Sequence, residues 1–193
     1  MTNIVLYGDG LICPPHGYGE TFADLLALRC PSAAVQTFQT GGEALDLDAG
    51  LKGAAFHVIG KAPDLVFLNF GHSDLVKKNP VEKMAASMAL LLQLLIAKTQ
   101  ANIVFASCFP TFLSEEFREN GEAYNSALKP LTSDRAIFLD LNTPILDFLA
   151  KHHQNSGEIR ALHQNPLRLT SMGRILLAHS ALEGLLSRNL IIP

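Results

Sequence analysis

The sequence predicts an α/β fold of three layers, a five-stranded parallel sheet with helices on both faces, and three observations predict it. Short apolar runs without polar alternation, such as Ile4-Val5-Leu6-Tyr7 and Leu65-Val66-Phe67-Leu68, are the pattern of strands buried on both faces. Longer amphipathic runs separate them, as expected of βα units joined by right-handed crossovers. Glycine and aspartate punctuate the strand ends, at Gly8-Asp9-Gly10 and again at Gly71-His72-Ser73-Asp74. Nothing in the 193 residues reads as a linker, so residues 1–193 are expected to form a single domain.

The first strand runs from Ile4 to Tyr7. A loop held open by Pro14, Pro15, Gly17 and Gly19 follows, and then a helix whose buried face is read as Phe22, Leu25, Leu26 and Leu28, stopped by Pro31. Ala33 to Phe38 reads as the second strand, Thr40-Gly41-Gly42 as its exit turn, and Glu43 to Ile59 as a helix with Leu45, Leu51, Ala55 and Val58 inward. The third strand, Leu65 to Phe70, is apolar enough to be central. After a polar loop, Asn79 is placed to cap a helix that has Pro80 at its first position and Glu82 near its positive end.

Met84 to Ala97, apolar nearly all round, falls short of the roughly 18 residues needed to cross a bilayer, so it is read as a core helix or one covered by a second copy. Ile103 to Ala106 and Ala136 to Leu141 complete the strands. Between them a helix from Ser114 carries Phe117, Tyr124 and Leu128. Pro144 to His152 reads as a short helix, Gln154 to Leu169 as an irregular polar loop, and Ser171 to Arg188 as a last helix with Ile175, Leu176, Ala178, Leu182 and Leu185 inward. The strand order predicted is 2-1-3-4-5, which places the first turn at the switch point where open sheets bind ligands.

Composition narrows the partners. A net charge of -3 without a dense basic cluster argues against nucleic acid and anionic membranes. Three widely spaced cysteines match neither a disulfide framework nor a metal pair, and no basic, apolar leader opens the chain, so a cytoplasmic protein without metal or cofactor is expected.

Leu6-Tyr7-Gly8-Asp9-Gly10-Leu11 resembles the opening block of the SGNH, or GDSL-type, ester hydrolases, and the resemblance extends over the chain as four blocks in family order. It implies an SGNH-hydrolase or flavodoxin-like sandwich. In that family the first block supplies a serine nucleophile, the second a glycine N–H and the third an asparagine to the oxyanion hole. The last, Asp-x-x-His, supplies orienter and base. Here Gly10 stands at the serine position and Gly42 at that of the oxyanion glycine. Gly71-His72-Ser73-Asp74 has Ser73 for the asparagine, and Asn165-Pro166-Leu167-Arg168 has Asn165 and Arg168 for the aspartate and histidine. Taken singly, Gly8-Asp9-Gly10 is also a plain turn and Gly41-Gly42 a plain helix entry.

The resemblance therefore implies an esterase-like or lipase-like site without the family's chemistry. A small polar or anionic ligand is expected at Asp9, Gly10, Gly42, His72, Ser73, Asp74, Asn165 and Arg168. Asp74 is read as an acceptor for loop N–H groups rather than a base. Two alternatives stay open. One is a hydrolase with relocated groups, Cys13 or Ser73 as nucleophile and His72 or His163 as base, with His16 also within consideration. The other is a scaffold that forms a homodimer through the Met84 to Ala97 helix.

Overall fold

The computed structural model describes residues 2–13, 15, 17–31, 35–42, 45–109, 114–152, 162–165 and 168–191. Five strands, β1 (Thr2–Gly8), β2 (Val35–Gly41), β3 (Leu65–Asn69), β4 (Asn102–Ala106) and β5 (Ala136–Leu139), form a parallel sheet in the order β2-β1-β3-β4-β5, as the sequence predicts. Side-chain alternation explains their uniform apolarity. Ile4, Leu6, Leu65, Phe67, Val104 and Ala106 pack on one face, and Val5, Tyr7, Val66, Leu68, Ile103 and Phe105 on the other. Each face buries a separate apolar layer, so β3 is buried throughout and β1 and β4 are buried beyond their polar first residues, Thr2, Asn3 and Asn102.

Helices α1 (Gly19–Arg29), α6 (Asn142–His152) and α7 (Ser171–Leu186) cover the first face, and α2 (Leu47–His57), α4 (Val81–Lys98) and α5 (Glu115–Leu128) the second. The apolar α4 lies between α2 and α5, with Met84, Met88, Leu91, Leu92 and Leu95 buried. Contacts on both flanks account for a helix apolar nearly all round, and Leu90 alone of its large apolar residues is about half exposed, at 53%. No helix among the described residues is long and apolar enough to cross a membrane.

Several sequence expectations are corrected. The segment after β3 is not a loop but a five-residue helix, α3 (His72–Val76). Asn79 does not cap α4. Its amide is drawn to Asp74, and Pro80 occupies the cap position. The second helix is capped by Asp46, whose side chain accepts from Ala49 N, and it turns Ala54 rather than Ala55 inward.

Asp140 ends β5 early and opens α6 by accepting from Asn142 N and Thr143 N. Leu28 and Ile175, read as inward, are 76% and 52% exposed because Cys30 and Leu177 hold the buried stripes instead. Within the polar segment read as irregular, β6 (His163–Asn165) and β7 (Arg168–Leu169) form an antiparallel hairpin. Residues 153–161, together with His16, lie outside the described residues.

Candidate functional site

The site is built where β1, β2 and β3 end at one edge of the sheet. Gly8 is paired with Gly41 on one side and Asn69 on the other. A side chain could not stand at position 8, because its Cβ would come within 2.1 Å of the Asn69 carbonyl oxygen. After this close approach the chain turns on Asp9. Its carbonyl accepts from Ile12 N and Cys13 N, and its Oδ1 accepts from Leu11 N at 3.1 Å. Gly10 is buried in that turn, and its N–H is not among the donors that close it.

The other carboxylate oxygen of Asp9 reaches across to the third block. Oδ2 accepts from His72 N at 3.1 Å and Ser73 N at 3.3 Å, the first donors of α3. A helix start leaves such N–H groups without intrahelical partners, and a carboxylate satisfies them. Gly71 makes the approach feasible with φ of 121°, where a Cβ would strike the Tyr124 ring and Cys108 Sγ. One fully buried side chain thus ties the first block to the third. Burial raises the Asp9 carboxyl to about 7, with the Asp74 charge adding to it and the three N–H bonds opposing it.

His72 completes this arrangement. Its Nε2 lies 3.3 Å from both the N–H and the carbonyl oxygen of Phe109, and its Nδ1 is 3.9 Å from Asp9 Oδ2. Desolvation, helped by the nearby His163, lowers the ring to about 3, so His72 is neutral throughout the physiological range. Phe109 stands with its ring 4.4 Å from that of His72 and 5.8 Å from that of His163. Through this contact the β6–β7 hairpin docks at the same edge and carries Arg168, partly buried and paired in register with Asn165. Thr170 fixes the hairpin to α7, its N–H bonded to Leu162 O and its Oγ1 accepting from Gly173 N.

The remaining candidates divide by role. Asp74 accepts from Leu47 N at 3.0 Å and Asn79 Nδ2 at 2.8 Å, tying α3 to the start of α2. Desolvation raises its carboxyl. Ser73 is buried beside Asp9. Of the glycine pair, Gly41 carries the constraint. Its φ is 129° and a Cβ there would lie 2.0 Å from Gly8 O, whereas a Cβ at Gly42 would meet open space.

Cys13 is a structural thiol. Its Sγ donates to Thr40 O at 3.1 Å and Gly8 O at 3.4 Å, and burial pushes it up to about 12. A thiol so held is not ionised at neutral pH and is a poor nucleophile. Among the described residues no group of three or more His, Cys, Asp or Glu is placed to hold a metal ion.

Sequence reading passed over Phe109, Asn69, Tyr18 and Ser107. Tyr18 Oη donates to Asn69 Oδ1 at 3.2 Å, and Asn69 Nδ2 donates to Ser107 O at 3.4 Å. Ser107 Oγ accepts from Leu141 N at 2.9 Å and Asn142 N at 3.1 Å. This buried polar line crosses the sheet edge from α1 to the start of α6. Asn69 announced it, as the one polar residue in the apolar run Leu65 to Phe70.

A model of the GDSL-like lipase/acylhydrolase family matches residues 5–167. No curated protein matches the sequence. A catalytic mutant of an acetylxylan esterase from Geobacillus stearothermophilus superposes with a TM-score of 0.81 at 15% identity, over 95% of this chain and 93% of that one. A protein from Parabacteroides merdae described as a GDSL-like lipase superposes with a TM-score of 0.80 at 15% identity, over 95% of this chain and 94% of that one. At such identity the superpositions establish the fold.

Proposed function

We propose, for a chain that belongs to the GDSL-like lipase/acylhydrolase family, that the site binds a small polar or anionic molecule and does not cleave it. Acyl transfer by the family route needs a nucleophile, a base that can take its proton and donors for the oxyanion. Gly10 has no side chain to attack with. The Arg168 guanidinium offers N–H donors and no acceptor for a proton, and Asn165 has no charge with which to orient a base. The observation that carries the proposal is the Asp9 carboxylate. It still holds Leu11, His72 and Ser73 by their N–H groups, so the frame around position 10 is complete while position 10 bears no hydroxyl.

Anion binding follows from what stands at the family positions. The Arg168 guanidinium can bond a carboxylate or phosphate in two places, and the Gly10 N–H, outside the turn's own hydrogen bonds, supplies a further donor. Three buried, unpaired thiols suit a reducing cytoplasmic setting. In a thermal-shift screen, small carboxylates and phosphates are expected to raise the melting temperature of the wild type and to lose most of that effect in Arg168→Ala. Equal shifts in both proteins, or none, would overturn the reading.

The competing reading is an ester hydrolase with Ser73 as relocated nucleophile. In its favour, the Phe109 ring lies 4.4 Å from that of His72, next to Ser73 in the chain, and 5.8 Å from that of His163, although a neutral His72 lowered to about 3 is a weak base. Saturable turnover of short nitrophenyl esters, abolished by Ser73→Ala or His163→Ala, would establish that reading instead.

A further inference from the structure

The outermost strands of a sheet present backbone donors and acceptors that no neighbouring strand meets. Among the described residues these strands are β2 and β5. β5 spans four residues, and charged residues close both its ends. Arg135 bonds the carbonyls of Ile96, Thr99 and Ala101, and Asp140 bonds the first N–H groups of α6. β2 differs. It runs seven residues, Val-Gln-Thr-Phe-Gln-Thr-Gly, with no charge and no proline, and its register with β1 is unbroken from Val35 to Gly41. None of the usual devices that keep edge strands apart is present within it.

We propose that β2 pairs antiparallel with β2 of a second copy of this chain, about a twofold axis through Phe38, joining the two sheets into one. The strand's own sequence argues for a copy of itself as the occupant. The axis sets Phe38 opposite Phe38, Thr37 opposite Gln39 and Gln36 opposite Thr40, so both polar pairs match a carboxamide with a hydroxyl. No charge faces its like. Aromatic pairing at the centre adds to main-chain bonding.

The flank of the strand supports the same occupant. On the α2 side, Phe56 is 76% exposed, and the Lys61 ammonium lies 5.6 Å from the Phe38 ring and 5.8 Å from the Phe56 ring. Both rings thus share the Lys61 ammonium on the α2 side of the edge, and two copies related through Phe38 set these aromatic flanks near one another.

Light scattering on a size-exclusion column tests this. The wild type is expected at twice the 20.9 kDa chain mass. The double variant Gln36→Lys with Thr40→Lys places lysine opposite lysine twice and is expected at the single mass. So is Gln36→Glu with Thr40→Glu. An equimolar mixture of the two variants sets lysine opposite glutamate in that register and is expected to recover the doubled mass. Circular dichroism checks that each variant is folded. Hydrogen exchange on the wild type gives an independent reading, with β2 amides becoming more protected as concentration rises. A wild type at the single mass with concentration-independent exchange, or doubled mass persisting in both charge variants, would overturn the proposal.

Discussion

Asp9 and His72 act on stability in opposite senses as pH changes. Asp9, raised from 3.8 to about 7, is favoured protonated in the folded chain. Its contribution is full below its unfolded value and is lost as pH rises through the folded one. His72, lowered from 6.5 to about 3, is favoured neutral. Its contribution is full above the unfolded value and is lost as pH falls toward the folded one. Between these limits the two slopes oppose each other in the wild type. Asp9→Asn keeps one of the two acceptor oxygens, sets an NH2 donor in place of the other, and removes one slope. The advantage of the wild type over this variant is expected to grow on acidification from pH 7 to 4, by at most about 1.4 kcal/mol per pH unit. Urea unfolding across that range reads the difference, and parallel curves would mean that burial does not hold the Asp9 proton.

At the scale of elements, the exit of β2 separates two adjacent glycines. Gly41 ends the strand at φ of 129° against Gly8 O, so Gly41→Ala is expected to destabilise by about 1–3 kcal/mol. Gly42→Ala meets open space and is expected to change stability by less than about 0.5 kcal/mol. Thermal unfolding of the two variants side by side makes the comparison, and equal losses would contradict the distinction. The sequence offers both residues to the same motif position, because spacing alone cannot say which one carries the strain. The same limit explains α3. Its start is satisfied by Asp9, 63 residues away from His72, and a cap supplied from that distance leaves no local signal. The β6–β7 hairpin was hidden for a related reason, since its polar residues His163, Gln164 and Asn165 show no alternation to mark a strand.

For the whole molecule, strand order and layers were legible because each central strand is buried on two faces and shows it as an uninterrupted apolar run. That the turns after β1 and β3 meet at one edge was legible too, since the two strands are read as neighbours in a parallel sheet. What joins those turns was not. Phe109 reads as an ordinary core residue until His72 and His163 are seen on either side of it. The polar line from Tyr18 through Asn69 to Ser107 has a further meaning for how disturbances spread. Its members belong to segments distant in sequence, yet each bond depends on where its neighbour is held. Tyr18→Phe and Ser107→Ala, at opposite ends, are therefore expected not to sum. A double-mutant cycle should give an interaction energy of about 0.5 kcal/mol or more, whereas agreement with the sum to within about 0.3 kcal/mol would mean independent ends. Non-additivity there would make the rim of the sheet a single mechanical unit, so that strain entering at α6 is felt at the first turn of α1.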